Sequence, residues 1–419
     1  MDFPARIRCL LLLGIALMRP SGAAGQDSGA NSQAGLQVQG VRIGDTYQQV
    51  LAAKGAPSGE IDLGTTRILR YPDAAVRLKE GVVTRIEAVK AEPTPEAAPA
   101  KPERPGLAPL ELKEDSIENE VGEFSNNVRA LFKAEKFTEL EEMSAKFIQE
   151  KSVFGDGLWK IECFHEALTL SPNSPAGAWP AREVEIRKWE AQFPTSLTAR
   201  IVHVRFLSDY AWLARGHQYA GSVSPEAWAI YGSRLSQAFD VLKEAHRLGA
   251  KSPMLLKTDL DIAIGQGWDP VMTARIYQGN RDLEPGFWYD EQTMALFLLP
   301  RWYGKEGDWE AFAESELRSG SGLGAEAYAR VVSSLVNYYK NIFGETHARW
   351  PVVKEGYKAM RGKYPDSVEI LSQYALLAVL AQDRAAARSA FDQMNGVSDP
   401  YVWQGRDVEA YQKWAYGVP

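Results

Sequence analysis

From residue 115 to its end, the chain places apolar side chains every three or four residues, and that spacing commits it to amphipathic helices. Ile117, Val121, Phe124, Val128 and Leu131 form one stripe; after a polar break at residues 133–136, Phe137, Leu140, Met143 and Phe147 form another, which predicts a helical hairpin. A second signature lies around Ser224: this residue is placed to cap a helix, Pro225 suits its first turn, and Trp228, Tyr231, Leu235, Ala238, Leu242 and Ala245 share one face up to the stop at Gly249. His246 and Arg247 fall in the last turn, where positive charge complements the helix dipole. Punctuation recurs at Ser171-Pro172-Asn173-Ser174, Phe193-Pro194-Thr195-Ser196 and Tyr364-Pro365-Asp366-Ser367, each ending one helix with proline and offering a cap to the next.

After the last of these, Leu371, Tyr374, Ala375 and Ala378 are followed by Ala387, Phe391 and Met394, with small residues where two helices approach and an aromatic between pairs. These positions resemble one tetratricopeptide repeat, without that family's Trp or first Gly. The expected fold class is therefore mainly α: a tetratricopeptide-like helical-hairpin solenoid over residues 115–419, preceded by a small α+β module. Residues 115–343 also resemble an uncharacterised bacterial domain family, through the 131–140 hairpin, Ala214-Arg215-Gly216-His217 and Leu299-Pro300-Arg301-Trp302-Tyr303-Gly304. That resemblance bears on the domain boundary and carries no activity.

The small module is expected over residues 36–90. Thr46 is placed to cap a helix that Gly55 and Pro57 end, and alternating residues at 68–71, 76–78 and 82–86, with Gly81 in a turn, predict short antiparallel strands. Gly44, Thr46, Val50, Gly55, Pro57, Tyr71, Gly81, Val82, Val83 and Ile86 make this stretch similar to the small outer-membrane assembly lipoprotein fold, which implies a non-enzymatic protein-contact domain. The family's lipid-anchoring cysteine is missing, and so is its additional first helix. Residues 91–114 turn to Pro, Ala, Glu and Lys, a composition that prefers extended polyproline conformations and reads as a linker.

At the N-terminus, Arg6 and Arg8 precede an apolar run at residues 9–18 and small residues at 21–24, the order of a secretory signal peptide over residues 1–24; residues 25–35 read as a disordered lead. The run is shorter than the roughly 20 apolar residues a membrane-spanning helix needs, so no integral membrane segment is expected after cleavage, and the expected location is periplasmic or secreted. Cys9 precedes the run, which argues against a lipid anchor, and Cys163 is the one other cysteine, so packing must supply stability. A net charge of -7, without a basic stripe, argues against nucleic acid as a partner.

Motifs for phosphate, metal or nucleophile chemistry do not occur. His165-Glu166 opens like a zinc motif, but Thr169 stands where a second His would share its helix face, and Cys163 and His165, two apart, point to different sides. Gly320, Gly322 and Gly324 follow a predicted helix and read as a connector. The acid pairs Asp259 with Asp261 and Asp282 with Glu284 read as caps or solvated faces. The candidate partner-binding residues are Arg215, His217, Arg301, Trp302 and Tyr303, because a guanidinium fork beside amphipathic aromatics is what recognition surfaces use; the bland alternative plugs a gap between helices with them. The expected function is an exported, cofactor-free, non-catalytic binding or scaffold protein of the cell envelope that contacts a protein or peptide. The alternative is a periplasmic hydrolase or glycan-processing enzyme with a pocket near His217 and Arg301.

Overall fold

The computed structural model describes residues 40–55, 57, 59–62, 66–71, 74–88, 110–216, 220–320, 323–403 and 405–418. The chain divides into two compact units, residues 21–106 and residues 107–419. The signal peptide and lead expected over residues 1–35, and most of the Pro-rich segment, lie outside the described residues.

In the first unit, helix α1 (Tyr47–Lys54) begins where Thr46 and Gln49 close a capping box, each side chain accepting the other's backbone amide, and ends at Gly55, whose φ of 76° favours glycine. Strands β1 (Gly59–Asp62), β2 (Thr66–Tyr71), β3 (Ala74–Lys79) and β4 (Val82–Ala88) form an antiparallel sheet in that order. Glu80 and Gly81 both take positive φ between β3 and β4, the geometry of a tight hairpin turn that follows the twist of its strands. Val50 from the helix is buried with Leu69, Val76, Leu78, Val83 and Ile86 from the sheet, and the Tyr71 hydroxyl donates to the Gly55 carbonyl at 3.1 Å.

The second unit is mainly helical, from α2 (Ser116–Lys133) and α3 (Phe137–Glu150) through α4 (Lys160–Leu168), α5 (Ala178–Gln192), α6 (Leu197–Arg215) and α7 (Pro225–Arg247). It continues with α8 (Pro253–Gln266), α9 (Pro270–Leu283), α10 (Tyr289–Phe297), α11 (Asp308–Arg318) and α12 (Ala325–Leu335). It closes with α13 (Ile342–Glu345), α14 (Trp350–Lys363), α15 (Val368–Leu380), α16 (Arg384–Gln393) and α17 (Val408–Tyr416). Ser196, Ser224 and Ser367 cap α6, α7 and α15 through their side chains, whereas Ser174 does not cap α5, which starts from Gly177. Tyr231, Leu235, Ala238, Leu242 and Ala245 of the α7 stripe are buried, and Trp228 is turned out to 36% exposure. Leu371, Tyr374, Ala375, Ala378, Ala387, Phe391 and Met394 are all buried, with Ala375 and Ala387 fully so where α15 packs on α16.

Two large apolar clusters fill this unit. The first gathers α2 to α8 around Phe137 stacked on Trp189 at 5.5 Å, with the Trp189 indole N–H donating to Glu141 at 2.8 Å. The second gathers α10 to α17 around Trp309, Tyr328, Tyr357 and Trp403. Residues 110–114, which composition assigns to the linker, instead form a strap: β5 (Glu111–Leu112) pairs in parallel with β6 (Val397–Ser398), and Leu110 packs against the second cluster. The two ends of the helical unit therefore meet.

Close helix packing sets one sharp requirement. A Cβ on Gly356 of α14 would stand 2.1 Å from the Ala325 carbonyl oxygen and 2.5 Å from the Ala329 Cβ, both on α12. Gly356→Ala should destabilise the helical unit by about 1–3 kcal/mol through overpacking, read as a lower urea midpoint; an unchanged midpoint would show that α12 and α14 do not pack this closely.

Candidate functional site

Where the ends of the helical unit come together, a cleft opens with a cavity volume of about 110 Å³. One wall comes from the first half of the unit, through Asp156, Leu158, Glu162, Cys163 and Glu166. The opposing residues are Trp288, Tyr289 and Gln292 at the start of α10, Arg330, Ser333 and Ser334 on α12, Tyr357 and Met360 on α14, and Glu369, Ile370 and Gln373 on α15. Positions more than 200 residues apart in sequence thus face one space, from Asp156 to Gln373.

Hydrogen bonds fix the loop before α4 against α10. The Trp288 indole N–H donates to the Gly157 carbonyl at 3.1 Å, and the Trp159 amide donates to the Tyr289 hydroxyl at 3.2 Å. Trp288 and Tyr289 stack at 3.9 Å with their planes 21° apart, and the Arg330 guanidinium lies 4.1 Å from the Trp288 ring. Arg330 also donates Nε and Nη2 to Glu326 Oε1 at 3.0 and 2.9 Å, so its fork is already engaged. On the far wall the Tyr357 hydroxyl donates to Gln373 Oε1 at 2.9 Å and lies 2.6 Å from the Ser333 hydroxyl, while Gln373 Nε2 donates to Glu369 at 3.0 Å. The space is thus walled by aromatic faces and edged by amide and hydroxyl groups, which suits an inserted side chain or short segment.

Behind the α4 wall lies a buried ionic network. Arg205 of α6 donates to Glu162 at 2.9–3.1 Å and to Glu166 at 2.9 Å, and Lys257 of α8 stands 3.7 Å from Glu162 and 2.8 Å from Asp261. Burial works to raise the Glu162 pKa, but the charges of Arg205 and Lys257 overcome it and hold the carboxyl down to about 2. Burial, aided by the Arg205 charge, lowers the His165 imidazole to about 3, so it is a feeble proton acceptor for any thiol chemistry near neutrality. Arg205 therefore fixes the two acids from behind while the cleft sees their other side.

Two buried carboxylates on α10 are both shifted upward, the reverse of Glu162. Burial pushes Asp290 well above the usual carboxylate range, with the neighbouring Glu291 adding to it, although Asn280 donates to Asp290. Glu291 is pushed up to about 7 by burial, against its backbone hydrogen bond and the charges of Arg281 and Arg330. Both acids lie between Trp288 and Gln292 in sequence, and Glu291 is the one whose pKa falls near neutrality.

The residues singled out in the sequence divide. Arg215, Trp302 and Tyr303 belong to one aromatic run: Trp212 packs edge-to-face on Tyr231 at 5.1 Å and on Trp302 at 5.8 Å, and the Arg215 guanidinium lies 5.8 Å from Trp212 and 5.6 Å from Trp228. Burial lowers the Arg215 pKa, and its Nη1 donates to the Gly216 carbonyl at 3.0 Å. Tyr303, 39% exposed, donates its hydroxyl to the Ile264 carbonyl at 2.7 Å. Arg301 points elsewhere, its Nη2 donating to the Tyr338 carbonyl at 3.3 Å and its guanidinium 4.6 Å from the Tyr338 ring. His217 lies outside the described residues. The run Leu299 to Gly304 makes the turn that closes α10, and a Cβ on Gly304 would meet the Leu298 carbonyl oxygen at 1.9 Å, so a packing role accounts for this motif. Arg301 thus gives one N–H to backbone and sets its guanidinium by an aromatic face.

The remaining acid pairs are satisfied locally. Asp259 lies 2.8 Å from His246, Asp261 receives Lys257, Asp282 accepts from Gln278 at 2.7 Å, and Glu284 pairs with Lys151 at 2.8 Å. Searches against protein-family models, curated proteins and solved structures find no significant match to this chain.

Cleft-lining residues carry a weaker sequence signal than the aromatic motifs. Glu162 and Glu166 sit four apart on a helix buried from Ile161 to Leu168, and Glu326 with Arg330 repeats the spacing on α12. Charges at helical spacing inside an apolar segment must find partners in the interior, and that is the clue available.

The α10 acids give a pH prediction. Between about 4.5 and 7 the folded protein keeps a proton on Glu291 that the unfolded chain has released, so stability falls as pH rises through that window. Glu291→Gln should flatten that fall by up to about 1.4 kcal/mol per pH unit, followed by urea unfolding from pH 4 to 8; a parallel pH profile in the variant would contradict the assignment.

Proposed function

We propose that this protein is an exported, non-catalytic binding or scaffold protein of the bacterial cell envelope, and that its helical unit takes a segment of a protein or peptide in the cleft between Cys163 and Gln373. The observation that carries the reading is the cleft itself: aromatic walls from Trp288, Tyr289 and Tyr357, with the Gln292 amide beside them and Ser333, Ser334 and Gln373 hydrogen-bonded within the wall. Such a mixture buries an apolar side chain and satisfies a peptide's backbone at the same time. We read the helical unit as tetratricopeptide-like, on the packing of α15 against α16 through Ala375 and Ala387.

Export rests on the order of charged, apolar and small residues at positions 1–24. Among the described residues no helix is long and apolar enough to cross a membrane. The first unit, with its helix and meander of strands, is assigned the protein-contact role implied by its likeness to the assembly lipoprotein fold. Two contacts joined through the Pro-rich segment would raise avidity by effective concentration without any change in either surface.

A photo-crosslinking amino acid at Gln292 of the full-length protein, in intact cell envelopes, tests this directly. A discrete protein or peptide adduct is expected from Gln292, absent when the crosslinker is moved to the exposed Val184 and lost when Ser334→Trp fills the cleft. Adducts that are the same from both positions, or that survive Ser334→Trp, would overturn the assignment of the cleft as the binding site.

A further inference from the structure

The two apolar clusters of the helical unit meet along a buried seam and again at the strap, with Trp212 on Trp302 and Tyr364 against Gly157 as further contacts between the halves. Helices α8 and α10 run through both: Met254, Leu255 and Ile262 belong to the first cluster and Ile264 to the second, while Tyr289 belongs to the first and Ala295, Leu296 and Phe297 to the second. That seam is buried, and it also carries Lys257 paired with Asp261 and the acids Asp290 and Glu291. The second junction is the strap, and its chemistry is different. Glu111 N–H donates to the Gly396 carbonyl at 2.7 Å and Lys113 N–H to the Ser398 carbonyl at 3.2 Å. Tyr401 donates its hydroxyl to Glu114 at 2.5 Å, and the Val368 amide donates to Asp115 Oδ2 at 3.3 Å. Residues 111–114 are exposed, so water competes for these bonds directly.

The strap also leads mechanically to the cleft. Asp115 caps α2; Ile117 and Val121 of α2 pack with Phe154 and Cys163 in a small apolar cluster of their own; and Cys163 lines the cleft opposite α15. The Asp115–Val368 bond thus ties α2, which packs on the Cys163 wall, to the start of α15.

We propose that the strap is a releasable clasp that controls access to the cleft, with α8 and α10 as the hinge. The inference rests on reading the cleft as the binding site. A two-residue parallel pair held by exposed hydrogen bonds belongs to the least stable part of such a fold, whereas the seam through α8 and α10 is buried, so separation occurs at the clasp.

Cys163 supplies the probe. It is 5% exposed, and with Cys9→Ser it is the one thiol of the full chain. Asp115→Asn keeps the capping oxygen for α2 but replaces the acceptor of the Val368 amide, and Tyr401→Phe removes the bond to Glu114. Together they should speed Cys163 alkylation by iodoacetamide about tenfold or more under native conditions, with Tyr401→Phe alone giving an intermediate rise, and with amide exchange in α6 and α7 unchanged. An unchanged alkylation rate, or a rise matched by equal loss of protection in α6 and α7, overturns the clasp. A specific adduct from Gln292 alongside either of those results would leave the binding role standing and remove only its gate.

Discussion

Asp115 binds two helices that lie far apart in the chain. Its Oδ1 accepts the Glu118 amide and begins α2, while its Oδ2 accepts the amide of Val368, the first residue of α15, 253 positions later. A stack of helical hairpins left to itself would end in two separate apolar edges, each needing a polar cap. Here the edges are brought to one another instead, by Asp115, by the β5–β6 pair and by Tyr401 on Glu114. The cleft exists because these ends meet, since one wall comes from α4 and the loop before it and the other from α12, α14 and α15.

Burying charge behind such a cleft is costly unless every group is matched, and this unit solves the problem by layering. Glu162 and Glu166 are held by Arg205 and Lys257 from the inside, and Glu326 is held by Arg330 and by Lys363 at 2.6 Å. Truncating Arg205 would remove the guanidinium that bridges two buried carboxylates, which is why the ion network and the cleft walls must be regarded as one structure. The raised acids of α10 sit at the weak point of this scheme, where burial outweighs the available positive charge.

Much of the helical order was legible in the residues. The stripes from Ile117 and Phe137, the Ser224-Pro225 start and the serine caps at Ser196 and Ser367 express local physics, namely apolar period and capping, which operates within a few residues. Trp228 escaped because its position fits the stripe, but the chain beyond it provides no cover. The strap was invisible for a different reason: two residues, Glu111 and Leu112, have no period to read, and their partner lies at Val397 and Ser398. Arg301, Trp302 and Tyr303 drew notice by composition, yet Gly304 and the bond to the Tyr338 carbonyl account for their turn. The cleft depends on contacts between positions hundreds apart, and one sequence carries no record of that pairing.

Closure of the helical unit on itself is the claim on which the cleft, the clasp and the ion network all rest. Spin labels at Asn119 and Asp366, both exposed and placed on the two meeting ends, with Cys9 and Cys163 changed to Ser, measure it by pulsed dipolar spectroscopy on the full-length protein. A single narrow distribution at the short end of the accessible range is predicted. A long or broad distribution would describe an open stack of helices and contradict the account.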